Sequence, residues 1–134
     1  MRKLALIILA GCLSLMAFKT VRKDKPIYPG VKIDSLYDLN INGCQQKILV
    51  QSNNTNNPLL LYLHGGPGSS FMMYSHTFSK RLTDHFILVN WDQRGTALSY
   101  HEGMDTTKIS EDQIRDDALV LVKYLLKTFH QRKI

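Results

Sequence analysis

The 134-residue sequence is long enough for one domain with a hydrophobic core, and its 44% hydrophobic content excludes a disordered chain. The net charge of +6 is concentrated in residues 1–25, which carry six of the 17 basic residues but one of the 11 acidic residues. The rest of the chain is nearly neutral, which argues against a nucleic-acid partner. We therefore expect a globular domain at residues 26–134, preceded by a signal peptide or membrane anchor with a basic linker at residues 1–25.

The first 25 residues have the pattern of an export or membrane segment. Arg2 and Lys3 precede the uncharged residues 4–18. Their length lies between that of a signal-peptide core, about 7–15 residues, and that of a membrane-spanning helix, about 20 residues. Residues 9–12, Leu-Ala-Gly-Cys, also resemble the box in which bacterial lipoproteins are lipidated, here on Cys12. The short stretch before Cys12 and the apolar residues after it count against lipidation, so a cleaved leader, an anchor, a lipid anchor and a plain buried helix all stay open.

The next segments predict a β-hairpin. Residues 36–41 and 45–51 flank Asn42-Gly43, a pair typical of the tight turn that needs positive φ at both central positions. Residues 52–58 are predicted to form a solvated loop. The apolar run 59–63 predicts a strand buried on both faces, as in a parallel sheet.

Helix and strand signals then alternate. Residues 69–82 predict a helix with Phe78 and Leu82 on its apolar side, and residues 86–89 predict a second buried strand. Ser110 and Gln113 form the S-x-x-Q capping box that opens a clearly amphipathic helix. The order hairpin, strand, helix, strand, helix predicts an α/β fold with a mostly parallel sheet. The apolar face of the last helix comprises Ile114, Ala118, Leu121, Val122, Leu125 and Phe129.

Residues 61–70, LYLHGGPGSS, place three glycines and a proline directly after the predicted strand 59–63. Open α/β sheets bind ligands at the carboxyl ends of their strands, and glycine lets a backbone approach a ligand closely. Neither of the common phosphate-binding patterns, G-x-x-x-x-G-K-[ST] and G-x-G-x-x-G, is present. Because glycine N–H groups can stabilise the negative oxygen that develops in acyl transfer, we interpret this loop as part of an oxyanion hole.

Two motifs together resemble the proline iminopeptidase-like branch of the α/β-hydrolase superfamily. Residues 64–68 correspond to its HGGPG motif, and residues 92–95 correspond to its DQRG motif. The resemblance covers about residues 30–134. It implies the amino-terminal part of an α/β-hydrolase fold, with strand 86–89 lying between the hairpin and strand 59–63.

The resemblance also implies roles for individual residues. The backbone of Gly65 and Gly66 would form part of the oxyanion hole. His64 would brace the loop by hydrogen bonding rather than act as the catalytic base. Asp92 and Arg94 would form a buried or semi-buried pair that fixes the loop carrying the DQRG motif, here called the second loop. The residues expected to support the two loops are His64, Pro67, Gly68, Asp92, Arg94 and Gly95.

Two departures from the family pattern are visible. The family continues as D-Q-R-G-x-G-x-S, whereas Ala97 occupies the second glycine position. If φ is positive there, alanine costs roughly 1 kcal/mol or more. The sequence also contains no G-x-S-x-G, the elbow that carries the nucleophilic serine in this fold. We therefore expect no catalytic nucleophile, acid or base in this chain, which would end before the nucleophile elbow.

Three functions fit these observations. The first is the amino-terminal fragment of an exported or membrane-anchored hydrolase, a serine aminopeptidase or esterase acting on a peptide or small-molecule substrate. The second is a stand-alone, non-catalytic protein that binds a ligand or partner. The third is a hydrolase-derived chain that regains activity with a second polypeptide. No metal or cofactor is expected, because the five histidines lack metal-ligand spacing and the two cysteines form no C-x-x-C motif.

Overall fold

The computed structural model describes residues 19–20, 31–65 and 68–134. Within these residues one mixed sheet contains the strands β1 (Lys19–Thr20), β2 (Ile33–Ile41), β3 (Cys44–Ser52), β4 (Leu59–Leu63) and β5 (Ile87–Asp92). Two α-helices, α1 (Ser75–Leu82) and α2 (Glu111–Thr128), accompany short 3₁₀ turns at Met72–Tyr74, Ala97–Ser99 and Thr106–Lys108. The predicted leader lies outside the described residues except for β1, and so do Cys12, Gly66 and Pro67.

The hairpin forms around the predicted turn. Asn42 and Gly43 both have positive φ, 48° and 77°, and Ile41 lies directly opposite Cys44 in the antiparallel pair. The Asn40 side chain accepts a 3.0 Å hydrogen bond from the Gly43 N–H, which closes the turn. Both strands are longer than the alternating segments predicted, because pairing continues from Ile33 opposite Ser52 to the turn.

The strand order is β1-β2-β3-β5-β4. The strand after α1 therefore lies between the hairpin and β4, as expected. Among the described strands the prediction of a mostly parallel sheet is wrong, because β4 and β5 pair in parallel and the other three described pairs are antiparallel. The physical reason is that parallel neighbours need a crossover connection, and the described strands contain one, through α1. The strands of the long hairpin pair antiparallel with each other, and β3 also pairs antiparallel with β5.

Strand β5 extends three residues beyond the predicted segment 86–89 and includes part of the second motif. Its pairing with β3 runs from Gln51 opposite Leu88 to Lys47 opposite Asp92, and on its other edge Leu63 lies opposite Trp91. The strand continues because a neighbour on each side satisfies its backbone groups. Asp92 is thus the last residue of a buried strand.

The helices cover opposite faces of the sheet. On one face Trp91 and Val89 belong to the same buried core as Leu121 and Leu125 of α2. On the other face the ring of Tyr62 lies near the rings of Phe71, just before α1, and Phe78, within α1. The distances between ring centroids are 4.9 Å and 5.7 Å. The arrangement is a three-layer α/β structure around one sheet.

Helix α1 differs from the prediction in length and in its buried face. Residues 69–71 are not helical, and a 3₁₀ turn precedes the helix. Its fully buried side chains are those of Ser75 and Ser79, whereas Phe78 and Leu82 are half-buried. Small hydroxyl side chains thus lie between α1 and the sheet, and the spacing of apolar residues in the sequence does not predict this.

Helix α2 begins as its capping sequence predicts. The Ser110 hydroxyl accepts a 3.2 Å hydrogen bond from the Gln113 N–H. Leu121 and Leu125 are fully buried on the predicted apolar face, and so is a carboxylate on that face, Asp117.

Among the helices that the structure describes, none is both long and apolar enough to cross a membrane.

Candidate functional site

The two predicted motifs lie side by side at one edge of the sheet. Because β4 and β5 run in parallel and Leu63 pairs with Trp91, the loops that follow them leave the sheet at the same end. The two loops are joined by hydrogen bonds from Gln93. Its backbone N–H donates to His64 Nε2 at 3.2 Å, and its side-chain Nε2 donates to the His64 carbonyl at 3.4 Å.

Both ring nitrogens of the buried His64 are engaged. Nε2 faces the Gln93 N–H, and Nδ1 lies 3.0 Å from the carbonyl oxygen of Gly65. The neutral imidazole with its proton on Nδ1 satisfies both neighbours, since it donates to the carbonyl and accepts from the N–H. These are the contacts expected of a residue that braces the loop, and neither nitrogen is left to accept a proton from a nucleophile.

The glycine loop has open space beside its first glycine. A Cβ added to Gly65 would meet no heavy atom within 4 Å, and Gly65 is exposed. At the other end of the loop, Gly68 has φ of +74° and lies against the second loop, because a Cβ there would be 3.6 Å from Thr96 Oγ1. The roles expected of Gly66 and Pro67 stay predictions, since both lie outside the described residues.

The predicted ion pair between Asp92 and Arg94 does not form. Asp92 Oδ2 instead accepts from the Leu98 N–H at 3.1 Å, and its backbone carbonyl accepts from the Ser99 hydroxyl at 2.5 Å. Side chains alternate along a strand, so Asp92 and the preceding Trp91 point to opposite faces of the sheet. Trp91 faces α2, and so does the side chain of Arg94, whereas Asp92 points away from α2. Asp92 still holds the second loop, through Leu98 and Ser99.

The partner of Arg94 is Asp117 of α2. The guanidinium makes two parallel contacts with the carboxylate, Nε to Oδ2 at 2.9 Å and Nη2 to Oδ1 at 3.0 Å. Nη2 also donates to the carbonyl oxygens of Ile41, at 3.2 Å, and Asn42, at 3.4 Å. The hydrogen bond with Asp117 raises the pKa of Arg94 above its ordinary value, so the guanidinium is permanently charged.

Asp117 is the centre of a buried polar network. Its two oxygens also accept from Asn42 Nδ2 at 2.8 Å and from Gln46 Nε2 at 2.7 Å, and Gln46 Oε1 accepts from the Trp91 indole N–H at 2.9 Å. The network therefore ties α2 to the hairpin, to β5 and to the second loop. We call these five residues the Asp117 network: Asn42, Gln46, Trp91, Arg94 and Asp117.

Sequence reasoning missed Asp117 because four acidic residues open α2 and all of them suit the positive end of the helix dipole. The available signal was its register. Position 117 lies three residues after Ile114 and four before Leu121, which puts a carboxylate on the apolar stripe. A charge at such a position needs a buried partner of opposite sign, and the DQRG motif carries one.

Cys44 is a buried free thiol at the start of β3, next to this network. Burial raises the pKa of its thiol, and the nearby positive charge of Arg94 offsets part of that rise. The thiol is therefore held in its neutral, weakly nucleophilic form. Within the part of the chain that the structure describes, no three His, Cys, Asp or Glu side chains are grouped so that they could hold a metal ion.

The second loop needs left-handed backbone at two positions. Gly95 has φ of +74°, and a Cβ there would lie 2.5 Å from Cδ1 of Ile109. Ala97 has φ of +41°, at the position where the DQRG-containing pattern has glycine. The departure from the pattern thus places an alanine in a conformation that suits glycine.

Ala97→Gly is expected to raise the free energy of unfolding by about 0.5–1 kcal/mol, because relief of left-handed strain exceeds the added backbone entropy of glycine. Urea denaturation of the two proteins measures the difference. Ala118→Gly, in the regular part of α2, is the matched control and should destabilise by about 1 kcal/mol. An Ala97→Gly protein less stable than the parent would contradict the strained conformation at this position.

Comparison with known proteins supplies one relative. Over 97 residues the chain is 33% identical to a protein of Bacillus subtilis (strain 168) described as "Probable aminopeptidase YbaC". The match covers 72% of this chain and 30% of the relative, so the chain spans less than a third of that protein's length. No family model and no solved structure matches the chain.

These findings correct the assignment to the proline iminopeptidase-like branch of the α/β-hydrolase superfamily. No model of that or any other family matches, and the relative bears the broader description of a probable aminopeptidase. The HGGPG and DQRG motifs, five and four residues long, are too short to support an assignment to that branch. What the comparison supports is a distant similarity to a protein described as a probable aminopeptidase.

Proposed function

We propose that this chain supplies the oxyanion loop of an aminopeptidase-like hydrolase whose nucleophile lies elsewhere in the full-length enzyme. The observation that carries the proposal is the glycine loop at the carboxyl end of β4, which His64 ties to the loop after β5 while the space beside Gly65 stays open. The distant relative supports the reaction class. Open α/β sheets generally bind ligands at the carboxyl ends of their strands, and the glycine loop lies at that end of β4.

The chemistry assigned to the loop is charge stabilisation. Attack on an amide or ester carbonyl places negative charge on its oxygen, and fixed backbone N–H groups of Gly65 and Gly66 would donate to that oxygen. Mutational precedents put the loss of one such donor at about 10²–10³-fold in kcat. His64, with both ring nitrogens engaged, would hold the loop and take no part in proton transfer.

A chimera tests this role with a substitution that the fold tolerates. In the chimera, residues 31–134 replace the corresponding part of the B. subtilis relative, and the chimera is expected to hydrolyse an aminoacyl arylamide. Gly65→Ala should lower kcat/KM at least about tenfold, equivalent to about 1.4 kcal/mol in the barrier, and leave stability unchanged. The reason is that the added Cβ meets no protein atom but enters the space that the substrate oxygen would occupy.

Gly103→Ala is the control with the opposite expected result. A Cβ at Gly103 also meets no atom within 4 Å, but φ is +83°, so alanine should cost about 1–2 kcal/mol of stability and leave kcat/KM unchanged. An active chimera with unaltered kcat/KM after Gly65→Ala would overturn the oxyanion role. A folded but inactive chimera would overturn the hydrolase proposal and favour a non-catalytic protein that binds a ligand or partner.

We also propose that residues 1–25 direct the protein to or across a membrane, on the strength of the basic start and the uncharged residues 4–18. A reporter fused to these residues should be recovered outside the cytoplasm or with the membrane. A leader in which Leu6, Ile7 and Ile8 are changed to glutamine is the control and should leave the reporter in the cytoplasm. Mass spectrometry of the product, with Cys12→Ser for comparison, separates lipidation from cleavage or anchoring. A parent fusion that stays cytoplasmic with Met1 intact would refute the proposal.

A further inference from the structure

We propose that Asp117 is a positioning residue for His64 and Gly65, at the start of the glycine loop, and that it acts on them through Arg94 and Gln93. The proposal rests on the proposed function, because the loop that it positions is the one to which that function assigns the oxyanion hole. It names a residue outside both motifs, on a helix that packs against the sheet face opposite α1.

The first step is the attachment of Arg94 to α2 and the hairpin. Its guanidinium donates to both oxygens of Asp117 and to the carbonyls of Ile41 and Asn42, and only 12% of the side chain is exposed. A planar group held at four acceptors has one position. The turn after β5 is therefore fixed relative to α2 and the hairpin turn, two elements distant in sequence.

The second step leads from Arg94 to the glycine loop. Gln93 is the adjacent residue, and its N–H donates to His64 Nε2 at 3.2 Å, at the long end of ordinary hydrogen bonds. His64 Nδ1 then lies 3.0 Å from the carbonyl oxygen of Gly65. A small displacement of Gln93 would lengthen an already long bond and release the imidazole that holds Gly65.

Other contacts shape the second loop but do not replace this attachment. The Thr96 N–H donates to the Gln93 carbonyl at 2.9 Å, and Leu98 donates to Asp92. These two bonds lie within the loop, so they set its internal shape. The Lys47 N–H of β3 donates to the Ser99 hydroxyl at 2.8 Å, which attaches the far end of the loop and not the turn beside Gln93. The contacts of Arg94 fix the turn after β5 relative to α2 and the hairpin. The hydrogen bond between Gln93 and His64 needs that turn to stay in place.

The attraction between the two charges does not by itself explain why an ion pair, rather than a pair of apolar residues, occupies positions 94 and 117. Buried ion pairs are often replaced by apolar residues of similar size with no loss of stability, because desolvation offsets the attraction between the charges. An apolar side chain at this fully buried position would suit the apolar face of α2 only if the partners Arg94, Asn42 and Gln46 were replaced as well. A bidentate carboxylate adds what an apolar residue cannot, a fixed direction for Arg94.

The tautomer of His64 provides a direct readout. In the 134-residue chain labelled with ¹⁵N-histidine, NMR should show His64 in the Nδ1–H form, its signal assigned with His64→Gln. Asp117→Asn, which replaces one oxygen by an NH₂ group facing the guanidinium, should shift His64 to a mixture of both tautomers. The Gln93 amide should then exchange with solvent at least about tenfold faster than any loss of global stability explains, with the Leu121 and Leu125 amides as the measure of that global loss.

The control is Asp112→Asn on the same helix, where the carboxylate is 78% exposed and pairs with Arg115 at the surface. It should leave His64 and Gln93 as in the parent. If Asp117→Asn does not fold, Arg94→Lys serves instead, because lysine keeps the charge but lacks the planar fork. A folded Asp117→Asn or Arg94→Lys protein with unchanged His64 tautomer and Gln93 exchange would overturn the proposal.

The chimera separates this inference from the proposed function. In an active chimera Asp117→Asn should lower kcat at least about threefold with KM nearly unchanged, as expected when transition-state contacts are misplaced. If the chimera is inactive while His64 responds to Asp117→Asn in the NMR experiment, positioning of the loop is supported and the proposed function fails. If the chimera is active and His64 does not respond, the positioning role alone fails.

Discussion

Asp117→Ala is expected to lower the free energy of unfolding by about 3–5 kcal/mol, the usual cost of leaving one partner of a buried ion pair uncompensated. The substitution strands the Arg94 guanidinium next to a void and removes the acceptor of Asn42 Nδ2 and Gln46 Nε2. Gln46 in turn holds the indole N–H of Trp91, so the damage extends to the core. Equilibrium urea denaturation, followed by the fluorescence of that single tryptophan, measures the change.

Two further variants identify the cause of that loss. Asp112→Ala removes an exposed carboxylate from the same helix and should change stability by less than about 0.5 kcal/mol. The double variant Asp117→Leu with Arg94→Met removes both charges and should recover part of the loss, because no charge stays buried without a partner. An Asp117→Ala protein as stable as Asp112→Ala would show that the network does not stabilise the fold.

Gly95→Ala is expected to lower the free energy of unfolding by about 2–3 kcal/mol, of which left-handed strain supplies about 1–2 kcal/mol and crowding about 1 kcal/mol. The strain follows from φ of +74°, and the crowding from the 2.5 Å that would separate the new Cβ from Ile109 Cδ1. The crowding part is limited because the atom it meets is the end of a flexible side chain. Thermal unfolding of the purified variants gives the difference.

A double-mutant cycle with Ile109→Val divides the two contributions. Valine lacks the Cδ1 atom, so in the Ile109→Val background Gly95→Ala should cost about 1 kcal/mol less. The cost that remains is the strain of left-handed backbone at position 95. Complete rescue by Ile109→Val would contradict the strained backbone at Gly95. An equal cost in both backgrounds would show that Ile109 moves aside without penalty.

Predictions from short-range patterns agreed best with the structure. The Asn42-Gly43 turn and the Ser110 cap formed as expected, and the glycine loop does follow strand β4. These features depend on the sterics and hydrogen bonding of a few consecutive residues, which the sequence displays directly. The boundaries were less accurate, since β5 continues to Asp92 where pairing with β3 supports it.

Predictions about partners across the fold were less successful. Asp92 and Arg94 are two residues apart and opposite in charge, so a pair between them looked natural, yet Arg94 pairs with Asp117 and Asp92 with Leu98. The local pattern could not show that α2 packs on the face of Trp91. Likewise α1 buries Ser75 and Ser79 fully and Phe78 only in part, because the sheet face beneath it decides which side chains fit.

By itself the sequence determined the Asn42-Gly43 turn, the Ser110 cap, the order of the elements from the hairpin to α2, and the position of the glycine loop, but not the short strand β1 in the predicted leader. All of these arise from interactions between residues close together in the chain. Only the tertiary structure decided that the two loops are joined through His64 and Gln93, and that a carboxylate from α2 completes the arginine site. The physical reason is that a buried charge takes whichever partner the packing brings within hydrogen-bond distance, and that packing joins residues far apart in the chain.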